Sequence, residues 1–334
     1  MAAPHVVDFN AIGAAYPWLS PLTNAFRIIV GLDAVPLSWL GTLAGALILV
    51  VTFDRAFRTK SSQARQRPSL RAYVQDLSVI FIQVALFGLL SRLHLPTSWQ
   101  DLAPGLGSAL RALAGVSGSP AAGPVVIAVF LVVVFLVGNL FTYLAHRLMH
   151  AVPCLWELHK FHHSAESLGV FSGFREHPAA AMVNGLTVVL GTTVVAIPFL
   201  VFYPGLASSP ELFASGLLGF VAFKGLFLLT HFHRPISYGI FDAVIVSPAI
   251  HAIHHSKDPR HFNRNFGANI TLWDRVFGTF HRPTGQDLEH LAYGLHESEG
   301  GTAGKFLPLR YLYLSTTWRA LKAAWPFRAA RALA

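Results

Sequence analysis

The sequence predicts an all-α integral membrane protein of about four to five transmembrane helices, with a cytoplasmic helical cap. Three observations predict it. The chain is 53% hydrophobic and only 12% charged, where a soluble domain carries about 25% charged residues. Several uncharged runs approach the roughly 20 residues that a helix needs to cross the hydrocarbon. The histidines, 17 in all, gather at helical spacing near the ends of those runs, which calls for a folded cap to hold them.

Residues 1–36 read as an interfacial segment or a short helix, with Trp18 and an apolar run broken by Pro17, Pro21 and Pro36. The first sixteen residues contain no Lys or Arg and no continuous apolar core, so no signal peptide is expected and the spans themselves direct insertion. Residues 37–53 are uncharged and form the first expected span. Arg55, Arg58, Lys60, Arg65, Arg67 and Arg71 follow, against Asp54 alone, and such a basic loop stays in the cytoplasm. Residues 74–95 supply a second span, with Asp76 at its start and Arg92 and His94 near its far end. The connection 96–123 is rich in Gly, Pro, Ser and Ala, carries only Asp101 and Arg111, and suits the opposite face. Residues 124–145 then run back inward and deliver His146 and His150. Two further runs, 181–203 and 212–230, make a hairpin interrupted by Lys224 and bring His231 back beside them. Residues 233–283 are polar and aromatic, and 284–304 are loop-like. The end mixes Tyr313, Trp318 and Trp325 with Arg310, Arg319, Lys322 and Arg328, which suits either an interfacial helix or a peripheral helix of the cap. Three regions follow: 1–123 with two spans, 124–283 with three spans and the histidines, and 284–334.

The net charge of +9 does not call for a nucleic acid, because the basic residues sit beside apolar runs where an anionic membrane surface would meet them. Cys154 is the single cysteine, which excludes an intramolecular disulfide and any cysteine-built zinc or iron-sulfur site.

Five histidines fall between residues 146 and 163. His146 and His150 stand at i, i+4, and His159, His162 and His163 at i, i+3, i+4. On a helix these offsets place imidazoles on one face, and convergent imidazoles without thiolates suit zinc, copper, iron or nickel. Adjacent His162 and His163 project roughly 100° apart on a helix, so two neighbouring ions would use both rings where one ion would not. The pattern recurs in His251, His254 and His255, twenty residues after His231. The expected site is therefore a dinuclear histidine metal centre.

The motifs H-R-L-M-H (146–150), H-K-F-H-H (159–163), R-E-H-P (175–178), H-F-H (231–233), S-P-A-I-H-A-I-H-H-S (247–256) and N-F-G-A-N-I-T-L-W-D-R-V-F-G-T (265–279) resemble the membrane fatty acid hydroxylase and sterol desaturase superfamily. The resemblance covers about residues 125–285. It implies a four-span core, a cytoplasmic cap holding two iron ions, and oxygen-dependent chemistry on a lipid. The implied ligands are His146, His150, His159, His162, His163, His231, His251, His254 and His255, with His177 and His233 as further candidates. Beyond the ligands, Asp274, Glu157, Glu166, Glu176 and Asp242 are acids able to orient a ligand's second nitrogen. His261, His281, His290 and His296 belong to no motif and are expected on the surface or in loops.

Breaking an unactivated C–H bond lies beyond side-chain acids and bases, so such a protein needs a cofactor that reduces dioxygen, the co-substrate. No G-x-G-x-x-G at a strand-helix junction and no cysteine set marks a fused redox module. A separate electron donor, a ferredoxin, cytochrome or reductase, is the expected partner, and the Ala, Gly and Arg usage points to a bacterial inner membrane. Two other classes compete: a membrane zinc hydrolase, needing only about three histidines and a water, and a non-enzymatic metal- or haem-binding membrane protein, which would place histidines inside the apolar runs.

Overall fold

The structure, a computed structural model, describes residues 6–8, 34–36, 68–91, 99–119, 122–209, 212, 226–227, 229–296 and 314–324. The expected span at 37–53 and most of that at 212–230, Lys224 included, lie outside them. The described residues are mostly helical. Among them two helices are long and apolar enough to cross a membrane, α3 (Pro124–Ala151) and α5 (Pro178–Phe202), with only 17% and 33% of their most apolar stretches buried inside the protein. Core helices of a soluble protein would be mostly buried, so the exposed apolar faces suit lipid. The expected span at 74–95 begins as a helix, α1 (Leu70–Ser91).

Within 1–36, Val6–Asp8 (β1) pairs antiparallel with Ala34–Pro36 (β2); residues 9–33, Trp18 included, lie outside the described ones. One expectation changes. The 96–123 connection contains α2 (Trp99–Ala114), with Pro104 inside it. One of its glycines serves packing: Gly107 lies against Leu200 of α5, where an added Cβ would sit 3.0 Å from that of Leu200. Ala103, Phe130, Ala196, Leu200 and Leu206 form a buried core between α2, α3 and α5. Trp99, Phe130 and Phe199 meet edge to face across it at 5.2 and 5.1 Å, the arrangement aromatic quadrupoles favour.

α3 and α5 approach closely where Gly191 faces the Phe141 ring, which occupies the space a side chain at 191 would take. Gly191→Leu should therefore loosen the pair by about 1–3 kcal/mol, the usual cost of forcing bulk into a packed contact. Thermal unfolding of the purified protein reads this, and an unchanged midpoint would show that Phe141 swings aside freely.

The chain turns sharply after α3. Pro153 disfavours helical geometry at the residue before it, and Val152 accordingly takes extended angles, φ −97° and ψ 117°, before α4 (Pro153–His163) begins. The same device starts α5, where His177 precedes Pro178, and α6 (Pro248–His254), where Ser247 precedes Pro248 and its hydroxyl accepts from Ile250 N–H. Short helices α7 (Leu272–Val276) and α8 (Gly285–Glu289) follow; α8 stands within the stretch expected to be loop. The C-terminal helix α9 (Thr316–Ala324) packs on α4, with Arg319 Nε donating to Glu157 at 3.0 Å. It leaves Trp318 and Leu321 exposed on its other side.

Candidate metal centre

Three helical segments and His231 bring the histidines together. α3 presents His146 and His150 one turn apart, α4 presents His159, His162 and His163, α6 and its cap present His251, His254 and His255, and His231 arrives just after the 212–230 run. His146, His150, His159, His163 and His254 each place a ring nitrogen within 4.8 Å of one another, and His162, His231, His251 and His255 form a second such group. All nine implied ligands thus fall into two adjoining groups. Both doublets divide between them: His162 and His163 stand at 88° to each other and His254 and His255 at 87°, so neighbours in sequence serve different groups.

The ring tautomers can be read from the outward contacts. His146 Nδ1 lies 2.8 Å from the Phe266 carbonyl and His254 Nδ1 2.9 Å from that of Arg264. A carbonyl only accepts, so the proton is on Nδ1 and the Nε2 lone pair faces inward. His162 makes a longer contact of this kind, 3.3 Å to the Arg175 carbonyl. The Nε2 atoms of His146, His159 and His254 are buried without a hydrogen-bond partner. In the second group Nε2 of His231 stands 3.3 Å from that of His162 and 2.9 Å from that of His251, which is 3.1 Å from that of His255. Imidazole-metal bonds of about 2.0–2.1 Å give tetrahedral edges of about 3.3 Å. The donor set therefore fits a pair of metal ions.

Burial, and then repulsion among the rings, holds His159, His162, His163, His251, His254 and His255 well below the usual imidazole range. Burial takes His231 to about 3. The rings are neutral at neutral pH, the form that binds metal.

The loop supplying the two carbonyls is built for it. Asn263 and Asn265 take left-handed angles, φ 58° and 56°, which asparagine tolerates better than most side chains. Asn265 is buried and fixed by its amide to Ile250 and His281. Gly267 has no room for a side chain: a Cβ there would stand 2.5 Å from the Ile270 carbonyl oxygen and 2.7 Å from the Asp274 carboxylate. That carboxylate, fully buried, accepts from Phe266 N–H at 2.7 Å, Gly267 N–H at 2.8 Å and the Thr279 hydroxyl at 2.7 Å. Asp274 thus holds the loop whose carbonyl holds His146, and it touches no imidazole of the cluster itself.

Of the other acids, Glu176 comes within 3.7 Å of His159 Nδ1, and burial raises its carboxyl to about 7. Glu157 pairs with Lys160 and Arg319 instead, and Asp242 accepts from Ser237 and Tyr238. His177 and His233 join neither group. His177 caps α5, its Nδ1 accepting from Ala179 N–H, and its Nε2 lies 3.0 Å from the Thr317 hydroxyl. His233 is buried against Phe232.

Two cavities divide the nine rings. One of about 80 Å³ touches His146, His159, His162, His231 and His251, together with Thr142 of α3 and Asn184 of α5. The other, about 330 Å³, touches His150, His163, His254 and His255 and has apolar walls from Pro153, Trp156, Phe262 and Leu295.

His261, expected in a surface or loop position, is buried, and His281 lies beside it; His290 and His296 are exposed. Nε2 of His261 and of His281 reach the two oxygens of Asp287 at 3.1 and 3.2 Å, while Ser256 meets His261 Nδ1 at 2.9 Å. Asp287 also accepts from the backbone and hydroxyl of Thr284 as the return half of a capping box. Every one of these contacts is a satisfied hydrogen bond, so the trio reads as a clamp between α8 and the loop after α6. Burial alone would raise the Asp287 carboxyl, but the bonds from Thr284, His281 and His261 outweigh it and hold it below its ordinary 3.8. Asp287→Ala should cost roughly 2–4 kcal/mol, for one helix cap and its charge-assisted bonds. A depressed carboxylate stabilises above its unfolded value, and that contribution drains away as pH falls through the folded one. The deficit measured by thermal unfolding should therefore be full at neutral pH and shrink in acid; a deficit independent of pH would remove the carboxylate from the account.

Known proteins resemble this part of the chain. Residues 131–279 match the family model described as fatty acid hydroxylase. An ornithine lipid hydroxylase of Rhizobium tropici is 31% identical over 141 residues, 42% of this chain and 38% of its own length. An alkylglycerol monooxygenase of Danio rerio is 24% identical over 53% of this chain and 35% of its own. A Delta(7)-sterol 5(6)-desaturase of Aspergillus fumigatus is 30% identical over 42% of this chain and 36% of its own. The chain thus spans well under half the length of the curated relatives it matches. No solved structure matches it.

Proposed function

On the premise that residues 131–279 belong to the fatty acid hydroxylase family, we propose that this chain is an integral membrane oxidoreductase. It hydroxylates or desaturates a membrane lipid with dioxygen at a pair of iron ions. The observation that carries the reading is the convergence of nine ring nitrogens in two groups, with the Nε2 atoms of His146 and His254 buried and without hydrogen-bond partners opposite Nδ1 atoms tied to backbone carbonyls. Imidazoles that donate one ring N–H outward present the other nitrogen as a ligand of fixed direction.

His146, His150, His159, His163 and His254 would hold one iron, and His162, His231, His251 and His255 the other. The irons supply the oxidising power that no side chain has. The protein's part is to hold them, to keep bulk water from nine buried or half-buried rings, and to seat an apolar chain. The larger cavity, walled by Pro153, Trp156, Phe262 and Leu295 beside four of the rings, has room for the reacting stretch of such a chain. Nine imidazoles in two groups exceed what a zinc hydrolase uses. Glu176 stands beside His159 without bonding it, and His177 anchors α5 and α9. Electrons come from a separate ferredoxin, cytochrome or reductase, and the metal centre faces the cytoplasm of a bacterial inner membrane.

Comparative mass spectrometry of lipids from cells with and without the gene tests the reading. A species heavier by one oxygen, or lighter by two hydrogens, is expected only with the gene, together with two irons per purified chain. Zinc alone, with no altered lipid, would overturn it.

A further inference from the structure

The cap carries an apolar surface that the metal centre does not use. The turn Gly239–Ala243 and helix α7 lie side by side, joined by Thr271 N–H to the Val244 carbonyl at 2.9 Å and by an Ile245–Ile270 bridge. Their outward side chains are apolar apart from Arg275: Ile240 is 82% exposed, Phe241 62%, Val244 60% and Val276 60%, with Leu272 and Phe277 beside them. A contiguous patch of this kind on a folded protein marks a contact with lipid or a partner.

The position of the patch against α3 decides which. Trp273 Nε1 donates to the Leu136 carbonyl at 3.1 Å, Asn269 donates to Asn139 at 3.2 Å, and Phe277 stacks on Tyr143 at 5.2 Å. Leu136, Asn139 and Tyr143 share one face of α3, so α7 descends alongside that helix. At about 1.5 Å per residue, Leu136 lies about 15 Å along the axis from His146, toward the middle of the apolar run. α3 itself exposes Val125, Val129, Val132, Leu144 and Leu148, so apolar surface extends along it on both sides of that level.

The polar groups of these segments are bonded within the cap, as immersion in hydrocarbon demands, with the exposed Arg275 side chain held by its own contacts. The Ala243 carbonyl accepts from the Thr271 hydroxyl at 2.8 Å and from Arg275 Nε at 3.0 Å. The carboxylates of Asp242 and Asp274 are both buried and bonded. The Arg275 guanidinium lies over the Phe280 ring at 3.9 Å.

We propose that the 239–244 turn and α7 form a foot of the cap that sits among the acyl chains of the bilayer that α3 crosses. The cap is then sunk into one leaflet, and the metal centre lies close to the level of the lipid chains. This inference rests on the reading of α3 as a membrane span.

The test uses the full chain with Cys154→Ala, and a single cysteine placed at Ile240, Val276, Val132 or Gln286. Each is labelled with an environment-sensitive fluorophore and reconstituted in phosphatidylcholine vesicles, with or without brominated acyl chains. Labels at Ile240 and Val276 should lose about half their emission or more to bromolipid, as at Val132 on the lipid face of α3, and resist aqueous iodide. The label at Gln286, on the exposed side of α8, should behave oppositely. Quenching at Val132 with iodide-accessible labels at Ile240 and Val276 would overturn the foot and leave the span standing. Failure at Val132 as well would overturn both.

Discussion

Replacing His255 with alanine should leave one iron per chain where the proposed function calls for two, and lower the altered lipid by at least about 100-fold, beyond the 10–100-fold that loss of a ligand's supporting partner costs. His255 belongs to the group of His162, His231 and His251, and its sequence neighbour His254 belongs to the other. A change at one position of the doublet should therefore empty one site and spare its companion. His163→Ala should do the converse by weakening the five-histidine group. Iron analysis beside lipid mass spectrometry reads both variants. Two irons retained by His255→Ala, with product intact, would remove His255 from the ligand set.

The second large effect is expected at Asp274, which meets no metal ligand directly. Alanine there strands the buried N–H groups of Phe266 and Gly267 and the Thr279 hydroxyl, all of which end on that carboxylate. Losing a buried charged hub of this kind costs roughly 3–5 kcal/mol. Because Phe266 is also the residue whose carbonyl fixes His146, metal affinity should fall with stability. Asp274→Asn keeps an acceptor for part of the set and should lose less of both. Thermal unfolding and iron titration measured together check this; an alanine variant as stable as the parent would show that water replaces the carboxylate.

Much of this arrangement was legible in the sequence because its signals are periodic. Offsets of three and four residues put imidazoles on one helical face, and the two doublets, too divergent to share an ion, point to two groups. The apolar runs at 124–145 and 181–203 emerged as helices for the same reason. Less legible was whatever depends on tertiary contact. The Gly, Pro and Ala composition of 96–123 hid α2, because residues that look like a linker alone become a close-packing face against Leu200. His261 belongs to no motif, and its buried partner Asp287 comes from 26 residues away. His177 resembled a ligand in its motif, yet its ring is taken up by α5 and Thr317. Asp274 was singled out as an acid that could steady a ligand, but its effect passes through main-chain atoms, which no side-chain pattern reveals.

Those main-chain atoms impose a rule of their own. Two rings, His146 and His254, take their direction from the carbonyls of Phe266 and Arg264, and a carbonyl is present whatever side chain the residue bears. Exchanging the side chain of Arg264 should thus leave the aim of His254 intact. Lengthening the 263–267 stretch by one residue would displace both oxygens and rotate an imidazole in α3 and another in α6 together. At Arg264, which lends only its carbonyl to His254, the length of the loop matters more than the side chain, whereas Asn265 and Gly267 are fixed in identity by their bonds and their lack of space.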